Sequence, residues 1–151
     1  MADYVKDTIE TIEHEIVVLL RRADFKRTLD GRQKSLDRSG YLILQRLYED
    51  GPTTTKELSK LFQLNISTVS RQIAALESKG LIAREIDEKD ARVSFLSITE
   101  DGRRAFLHSK KERYESYTEI LEGWTDEERD IFATLLTRLN RKIEKRRKLQ
   151  S

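Results

Sequence analysis

The fold is decided by residues 53–98, which read TTTKELSKLFQLNISTVSRQIAALESKGLIAREIDEKDARVSFLSI. A capping box, with Thr54 as the N-cap and Glu57 three residues later, predicts the start of a short helix. A tight link follows at residues 63–65, and Asn65 is a favourable N-cap for a second helix. That helix has apolar residues at spacings of three and four, including Ile66, and it ends at Gly80. The stretch therefore begins with two helices joined by a tight turn.

The second half of this stretch changes to a strand pattern. Residues 81–86 and 93–98 are short apolar runs, and the charged residues 87–92 separate them. Two such runs around a polar loop predict a β-hairpin. The order of helix, turn, helix, strand, loop and strand predicts a winged helix-turn-helix in which the hairpin is the wing.

A long helix is predicted before this motif, over residues 3–26. It has one apolar stripe of residues three or four apart: Val5, Ile9, Ile12, Ile16, Leu19 and Ala23. A stripe this narrow on so long a helix needs a partner to bury it. A break is expected at residues 29–32, and a second helix ends at Gly51-Pro52, just before the motif.

Two more helices are predicted after the hairpin. Thr99 caps the first, Gly123 and Trp124 interrupt it, and a second capping box at residues 125–128 opens the last helix. The last helix has its own apolar stripe: Phe132, Leu136, Leu139 and Ile143. We expect a mainly α fold with a small β-hairpin wing. A dimerisation helix at residues 1–34 and dimerisation helices at residues 103–151 flank the motif at residues 35–102, and the two stripes form the interface of a homodimer.

Composition excludes several classes of function. The 151 residues carry a net charge of +2, and none is cysteine. Disulfides, thiol nucleophiles and cysteine metal sites are therefore excluded. The sequence has no run of about 18 apolar residues and no signal-peptide pattern, so the expected compartment is the cytoplasm. It also has no Gly-rich phosphate loop, nucleophile–base pair or metal-ligand spacing, so we expect neither a cofactor nor enzymatic activity.

The winged motif carries side chains suited to double-stranded DNA. A helix in the major groove needs short polar or cationic side chains that approach base edges, and the second helix offers Ser67, Thr68, Ser70, Arg71 and Gln72. Arg92 in the wing suits a narrow minor groove, with Asp90 holding it in position. The start of the first helix offers hydroxyls and amides to phosphate through Thr53, Thr54 and Thr55. A dimer of such motifs would read a pseudo-palindrome.

Several features have a second interpretation. The motif could be a protein-interaction module, although such a face would carry larger apolar anchors. The cations at residues 138–148 could touch DNA, but a solvated helix end is the more common explanation of such a run. Tyr41, Tyr114, Tyr117 and Trp124 could line a ligand pocket, but aromatic residues at helical spacing more often form a core.

The chain resembles the MarR family of bacterial transcription regulators. The residues that carry the resemblance are 57–61, 67–71, 76–84, 90–92 and 96–102, in this order, and the flanking helices extend it over nearly the whole chain. Lys89 departs from the arginine that many relatives have in the wing. The resemblance implies an obligate dimer built from both terminal helical regions, and a small-ligand pocket between the dimer and the DNA-binding parts. The predicted function is sequence-specific DNA binding that represses, or less often activates, nearby transcription, with a small ligand that releases the protein from its operator.

Overall fold

The computed structural model describes residues 7–23 and 36–150. In chain order, its elements are α1 (Thr8–Ala23), α2 (Arg38–Asp50), α3 (Thr55–Phe62), α4 (Ile66–Ser78), β1 (Ile82–Ile86), β2 (Ser94–Ile98), α5 (Glu100–Ile120) and α6 (Asp126–Gln150). The predicted mainly α fold with a hairpin wing is confirmed. None of the helices in the described part is long and apolar enough to cross a membrane.

Helix α1 has its own capping box at the start of its described part. The Asp7 carboxylate accepts the backbone amide of Glu10 at 2.8 Å, and the Glu10 carboxylate accepts the Asp7 amide at 3.4 Å. Thr8 is therefore the first helical residue of the described part, and residues 3–6 of the predicted helix lie outside the described residues. Val5 and the predicted break at residues 29–32 lie outside the described residues.

The core of the motif is made by one face of each surrounding element. These faces contribute the following buried apolar side chains: Leu36, Ile43, Leu44, Leu47, Leu58, Val69, Ile73, Leu76, Ile82, Leu96 and Phe106. Each side chain of this kind stabilises the fold by about 1.5–3 kcal/mol when it leaves water. Because α4 contributes three of them, its position is set by packing from behind, and its opposite face remains available for contacts.

The end of α4 and the start of α5 are each capped by local hydrogen bonds, and the two caps lie next to each other in space. The Leu81 amide donates to the Leu76 carbonyl, and the amide of Gly80, at a φ of 73°, donates to the Glu77 carbonyl. These two bonds form a Schellman motif. The Thr99 hydroxyl then accepts the amide of Gly102 at 3.0 Å and donates to the Gly80 carbonyl at 2.7 Å. The end of α4 is therefore tied to the start of α5.

The wing is an antiparallel pair in which Ile82 lies opposite Ile98 and Ile86 opposite Ser94. A third backbone segment joins its edge, because Thr53 and Leu96 exchange both amide–carbonyl bonds, at 3.1 and 2.7 Å. The hairpin is thus bound to the loop before α3 and does not project freely from the body of the motif.

The flanking helices leave apolar surface uncovered in the single chain. Ile9 is 72% exposed and Leu20 is 63% exposed on α1, and Phe132 and Ile143 are close to half exposed on α6. The chain presents 12,173 Å² of accessible surface, against roughly 8,000 Å² for a compact monomer of this mass. A protomer of this shape has much apolar surface left to bury.

Candidate nucleic-acid interface

The outer face of α4 is polar and made of short side chains. Ser67, Ser70, Arg71 and Ala74 are exposed, and their spacing of three and four residues places them on one side of the helix. The opposite side is buried in the core. Small side chains around a single long cation allow a helix to approach base edges closely. The exposure of these side chains is compatible with the predicted recognition surface, whose contact with DNA stays a prediction.

The first residue of α4 lies on a different face from the one that the sequence predicts. The sequence places Ile66 on the core stripe, but its side chain is 54% exposed. Ile66 opens the helix, one turn before the continuous core contacts of Val69 and Ile73. Asn65 precedes it as the N-cap residue, yet its side chain makes no capping hydrogen bond. The tip of the helix therefore presents an apolar side chain beside the predicted polar ones.

Two predicted base-contacting residues are less available than the rest. The Gln72 side-chain amide donates to the Ser39 hydroxyl at 3.1 Å, across to α2, and both residues are half-buried. Thr68 is also half-buried. Of the five predicted residues on the recognition helix, Ser67, Ser70 and Arg71 have open access to a groove.

The predicted phosphate-contacting threonines are in three different situations. Thr53 is only 4% exposed, because its backbone pairs with Leu96 at the edge of the hairpin. A buried hydroxyl cannot reach a phosphate, so the prediction is wrong for Thr53. The Thr54 hydroxyl accepts the Glu57 amide at 3.1 Å, as the capping box requires. Thr54 and Thr55 are half-buried at the start of α3, where phosphate contact stays a prediction.

The wing loop is organised around two carboxylates. Asp87 accepts the amide of Lys89 at 3.0 Å, and the Asp87 amide donates across the loop to the Val93 carbonyl at 2.9 Å. Asp90 accepts the amide of Arg92 at 3.0 Å and its guanidinium Nε at 3.1 Å. The hydrogen bond from the Arg92 side chain holds the pKa of Asp90 below its ordinary value. The Arg92 side chain is 91% exposed, so it is oriented and accessible at once.

A further ion pair joins the wing to the recognition helix. The Arg84 guanidinium, on β1, donates to the Glu77 carboxylate of α4 at 2.5 Å, and this bond raises the pKa of Arg84. Sequence reasoning did not single out this pair. A signal for it is present in the sequence, because two residues of opposite charge flank the turn at Gly80, Glu77 three residues before it and Arg84 four residues after it. The pair fixes the base of the wing relative to α4.

An open groove with a volume of about 530 Å³, hereafter called the cavity, lies between α2 and α5. Its lining is aromatic and cationic: Arg38, Tyr41, Leu42, Lys110, Arg113, Tyr114 and Tyr117. The Arg113 guanidinium lies over the Tyr41 ring at 4.3 Å, and Tyr41 also packs against Phe106 of the core. Burial raises the pKa of Tyr41, and the charge of Arg113 partly offsets this rise.

The interpretation that the four aromatic residues Tyr41, Tyr114, Tyr117 and Trp124 form a core holds for only some of them. Tyr41 packs on the core, but Tyr114 is 74% exposed at the rim of the cavity, and Tyr117 also lines it. Trp124 makes an edge contact with Phe132 at 5.5 Å beside the uncovered stripe of α6. No group of three His, Asp or Glu side chains that could hold a metal ion is found among residues 7–23 and 36–150.

Comparisons with known proteins agree with this geometry. The model of the MarR family matches residues 36–94. The chain is 41% identical to the uncharacterized HTH-type transcriptional regulator YxaD of Bacillus subtilis over 136 residues. This alignment covers 90% of this chain and 95% of the relative.

Solved structures share the fold. A MarR protein from Peptoclostridium difficile superposes with a TM-score of 0.78 at 20% identity, over 100% of this chain and 99% of the other. BpsR of Bordetella bronchiseptica, described for the regulation of its DNA binding by 6-hydroxynicotinic acid, superposes with a TM-score of 0.70 at 22% identity, over 87% of this chain and 99% of the other.

Proposed function

The chain belongs to the MarR family of DNA-binding transcriptional regulators, and we propose that it is a homodimeric repressor that binds a pseudo-palindromic operator and is released by a small aromatic anion. Its relatives are regulators and not enzymes. The observation that carries the proposal is the outer face of α4. Ser67, Ser70 and Arg71 are exposed there, while Val69 and Ile73 on the other side of the helix are fully buried.

The uncovered apolar stripes support the homodimer. Val5 lies outside the described residues. The following stripe residues of α1 and α6 are exposed or half-exposed in the single chain: Ile9, Ile12, Ile16, Leu19, Phe132, Leu136, Leu139 and Ile143. Two amphipathic helices that one small domain leaves bare are the expected components of an intersubunit bundle. A two-fold axis would present two copies of α4 to half-sites about 10 bp apart, centre to centre.

The cavity between α2 and α5 supports regulation by a ligand. Arg38, Lys110 and Arg113 give it positive charge, and three tyrosines give it flat apolar walls. A carboxylate attached to an aromatic ring matches both features. In BpsR, the ligand that regulates DNA binding is an acid of this kind. The ligand would act by binding more tightly to a conformation that DNA does not select.

The alternative, a protein-docking module, has less support. A docking face depends on buried aromatic or aliphatic anchors, whereas the outer face of α4 offers two serines and an arginine, with Ile66 as the one large apolar residue on its exposed tip. A protein-docking role would also leave the oriented and exposed Arg92 of the wing without an explanation.

The test is selection of bound DNA from a random pool by the full-length protein. We expect a pseudo-palindromic consensus with half-sites about 10 bp apart. Binding to this consensus should weaken steeply as salt increases, because phosphate contacts release counterions. A pool without enrichment, or binding that does not respond to salt, would contradict the proposal and favour the docking module.

A further inference from the structure

The C-terminal part of α6 is attached to the turn of the helix-turn-helix. The Arg147 guanidinium donates to the backbone carbonyl of Gln63 at 2.9 Å. In return, the side-chain amide of Gln63 donates to the backbone carbonyl of Glu144 at 3.1 Å. Gln63 lies between α3 and α4, three residues before the recognition helix begins. The last turns of α6 are therefore placed beside the start of that helix.

The turn that receives α6 is well defined. Gln63 has a left-handed backbone, with a φ of 54°, and its amide donates to the Lys60 carbonyl at 3.3 Å. The Ser59 hydroxyl donates to the Leu64 carbonyl at 2.6 Å, and the Leu64 amide donates to the Ser59 carbonyl at 3.1 Å. These hydrogen bonds fix the conformation of the turn. Its contacts with α6 therefore fix the position of the C-terminal part of α6 relative to the turn.

The part of α6 attached to this turn is strongly basic. Residues 138–148 contain seven cations and a single acid, Glu144, which pairs with Arg141 at 2.5 Å. One recess along the helix is lined by Glu144 and by five of the cations: Arg138, Arg141, Lys142, Lys145 and Lys148. All five cations are exposed. The recess is predominantly basic and is hereafter called the α6 basic surface.

The helix dipole accounts for only part of this charge. Cations are favourable near the C-terminal end of a helix, but the effect falls off within the last turn. Arg138, Arg141 and Lys142 lie two to three turns before the end of α6 at Gln150. Glu144 and Arg147, which adjoin this surface along the helix, contact the turn before α4. The excess positive charge therefore lies on a helix segment that is attached next to the recognition helix.

We propose that the α6 basic surface is a second DNA-contacting surface, which binds backbone phosphates flanking the bases read by α4. The N-terminal residues of a recognition helix contact base edges, so the phosphates that border that groove pass close to the turn at Gln63. This inference rests on the proposed function and extends it, because it lengthens the contacted site beyond the recognition helix and the wing.

The test compares two full-length variants that lose the same charge. K145Q/K148Q removes two cations from the α6 basic surface, and R104Q/K111Q removes two exposed cations from α5. The operator affinity of each is measured by fluorescence anisotropy over a range of salt, after sedimentation has confirmed an unchanged oligomeric state. Each lost phosphate contact lowers the salt slope by about 1. We therefore expect K145Q/K148Q to reduce the slope by up to about 4 per dimer, and R104Q/K111Q to leave it nearly unchanged.

Trimming the operator separates local contact from a general effect of charge. Removing flanking base pairs outside the consensus should weaken the wild type more than K145Q/K148Q, because that variant has already lost two of the five cations of this surface. Equal slopes for the two variants, or equal responses to trimming in wild type and K145Q/K148Q, would overturn the inference. Failure of the wild type to select any DNA would instead overturn the proposed function.

Discussion

Asp90 accepts hydrogen bonds from both the backbone amide and the guanidinium of Arg92, so one carboxylate fixes the wing cation at two points. The pKa of Asp90 is held below its ordinary value. The carboxylate is therefore ionised at every pH above the ordinary pKa, and the ion pair with Arg92 is lost only as pH falls through the lowered pKa. The orientation of Arg92 should therefore be constant between about pH 6 and 8.

Asp90→Ala should weaken operator binding, even though it removes a negative charge close to DNA. The loss arises because a freely rotating Arg92 must be ordered on binding, and it should stay below the roughly 2 kcal/mol of rotamer entropy that such a side chain carries. Arg92→Ala should cost about 1–3 kcal/mol, the range for one strong contact. Anisotropy titrations at fixed salt measure both effects.

Glu88→Ala is the matched control for Asp90→Ala. Glu88 is an exposed acid in the same loop, and its removal should leave binding unchanged or slightly tighter, as simple electrostatics requires. If Asp90→Ala tightens binding to the same extent as Glu88→Ala while the fold is intact, Asp90 does not orient the wing cation.

Two residues of α4 should determine which DNA sequence is bound, and a third should only stabilise the helix against α2. Ser67→Ala and Arg71→Ala should change the preferred operator sequence in a repeated selection, because both side chains are exposed on the outer face of α4, which we propose to face the groove. Gln72→Ala should keep the preference and lower the stability by about 1 kcal/mol, since it removes a hydrogen bond to Ser39. A shifted consensus for Gln72→Ala would show that this side chain leaves Ser39 to contact bases.

The sequence predicted those parts of the fold that depend on local chemistry. The caps at Thr54, Thr99 and Thr125 and the stop at Gly80 are formed as expected. Each requires only residues a few positions apart, so a single sequence contains the whole signal. The α4 core stripe was also predictable beyond its first residue, since burial of one helix face follows a period of 3.6 residues.

Contacts between distant segments were not predictable in this way. Thr53 is buried because it pairs with Leu96, 43 positions away, and no local pattern reports such a pairing. The attachment of Gln63 to Arg147 joins residues 84 positions apart. The same limit explains the cavity, whose aromatic residues look like core in a linear pattern and become a lining only when α2 and α5 pack together.

The apolar stripes should control the oligomeric state. Leu136→Glu and Ile12→Glu place a carboxylate in the expected interface, where an unpaired buried charge costs several kcal/mol. Each should convert a dimer into monomers in sedimentation equilibrium, and deletion of residues 1–28 should give monomeric or insoluble protein without operator binding. Ile86→Glu is the control, since Ile86 is 66% exposed on the wing and outside both stripes. A stable wild-type monomer at micromolar concentration would contradict the homodimer.

Gly102 should not tolerate a side chain. A Cβ at this position would lie 2.1 Å from the Leu81 carbonyl oxygen and 2.9 Å from Ile98 Cγ1. A backbone carbonyl cannot retreat without moving the turn that joins α4 to β1, so Gly102→Ala should lower the free energy of unfolding by about 1–3 kcal/mol. Glu115→Ala, at an exposed site on the same helix, should change it by less than about 0.5 kcal/mol. Thermal melts decide this, and an unchanged melting temperature for Gly102→Ala would contradict the close approach.

The cavity between α2 and α5 should bind aromatic carboxylates through Arg113. A panel of phenolic and pyridine carboxylic acids should include members that raise the melting temperature of the wild type and release it from operator DNA. A ligand that binds only the folded state stabilises the protein by about 2.7 kcal/mol when its free concentration is 100 times Kd. Arg113→Gln should abolish both responses, because it removes the guanidinium that lies over Tyr41 in the cavity.

Lys111→Gln separates this effect from a general loss of charge on α5. Lys111 lies on the same helix but does not line the cavity, so its variant should respond to the ligand as the wild type does. Stabilisation and release must be measured together, because a ligand that binds both conformations equally would raise the melting temperature without releasing DNA. A panel without any effect on the wild type would favour a regulator that works without a ligand. An Arg113→Gln variant that still releases DNA would place the ligand outside this cavity.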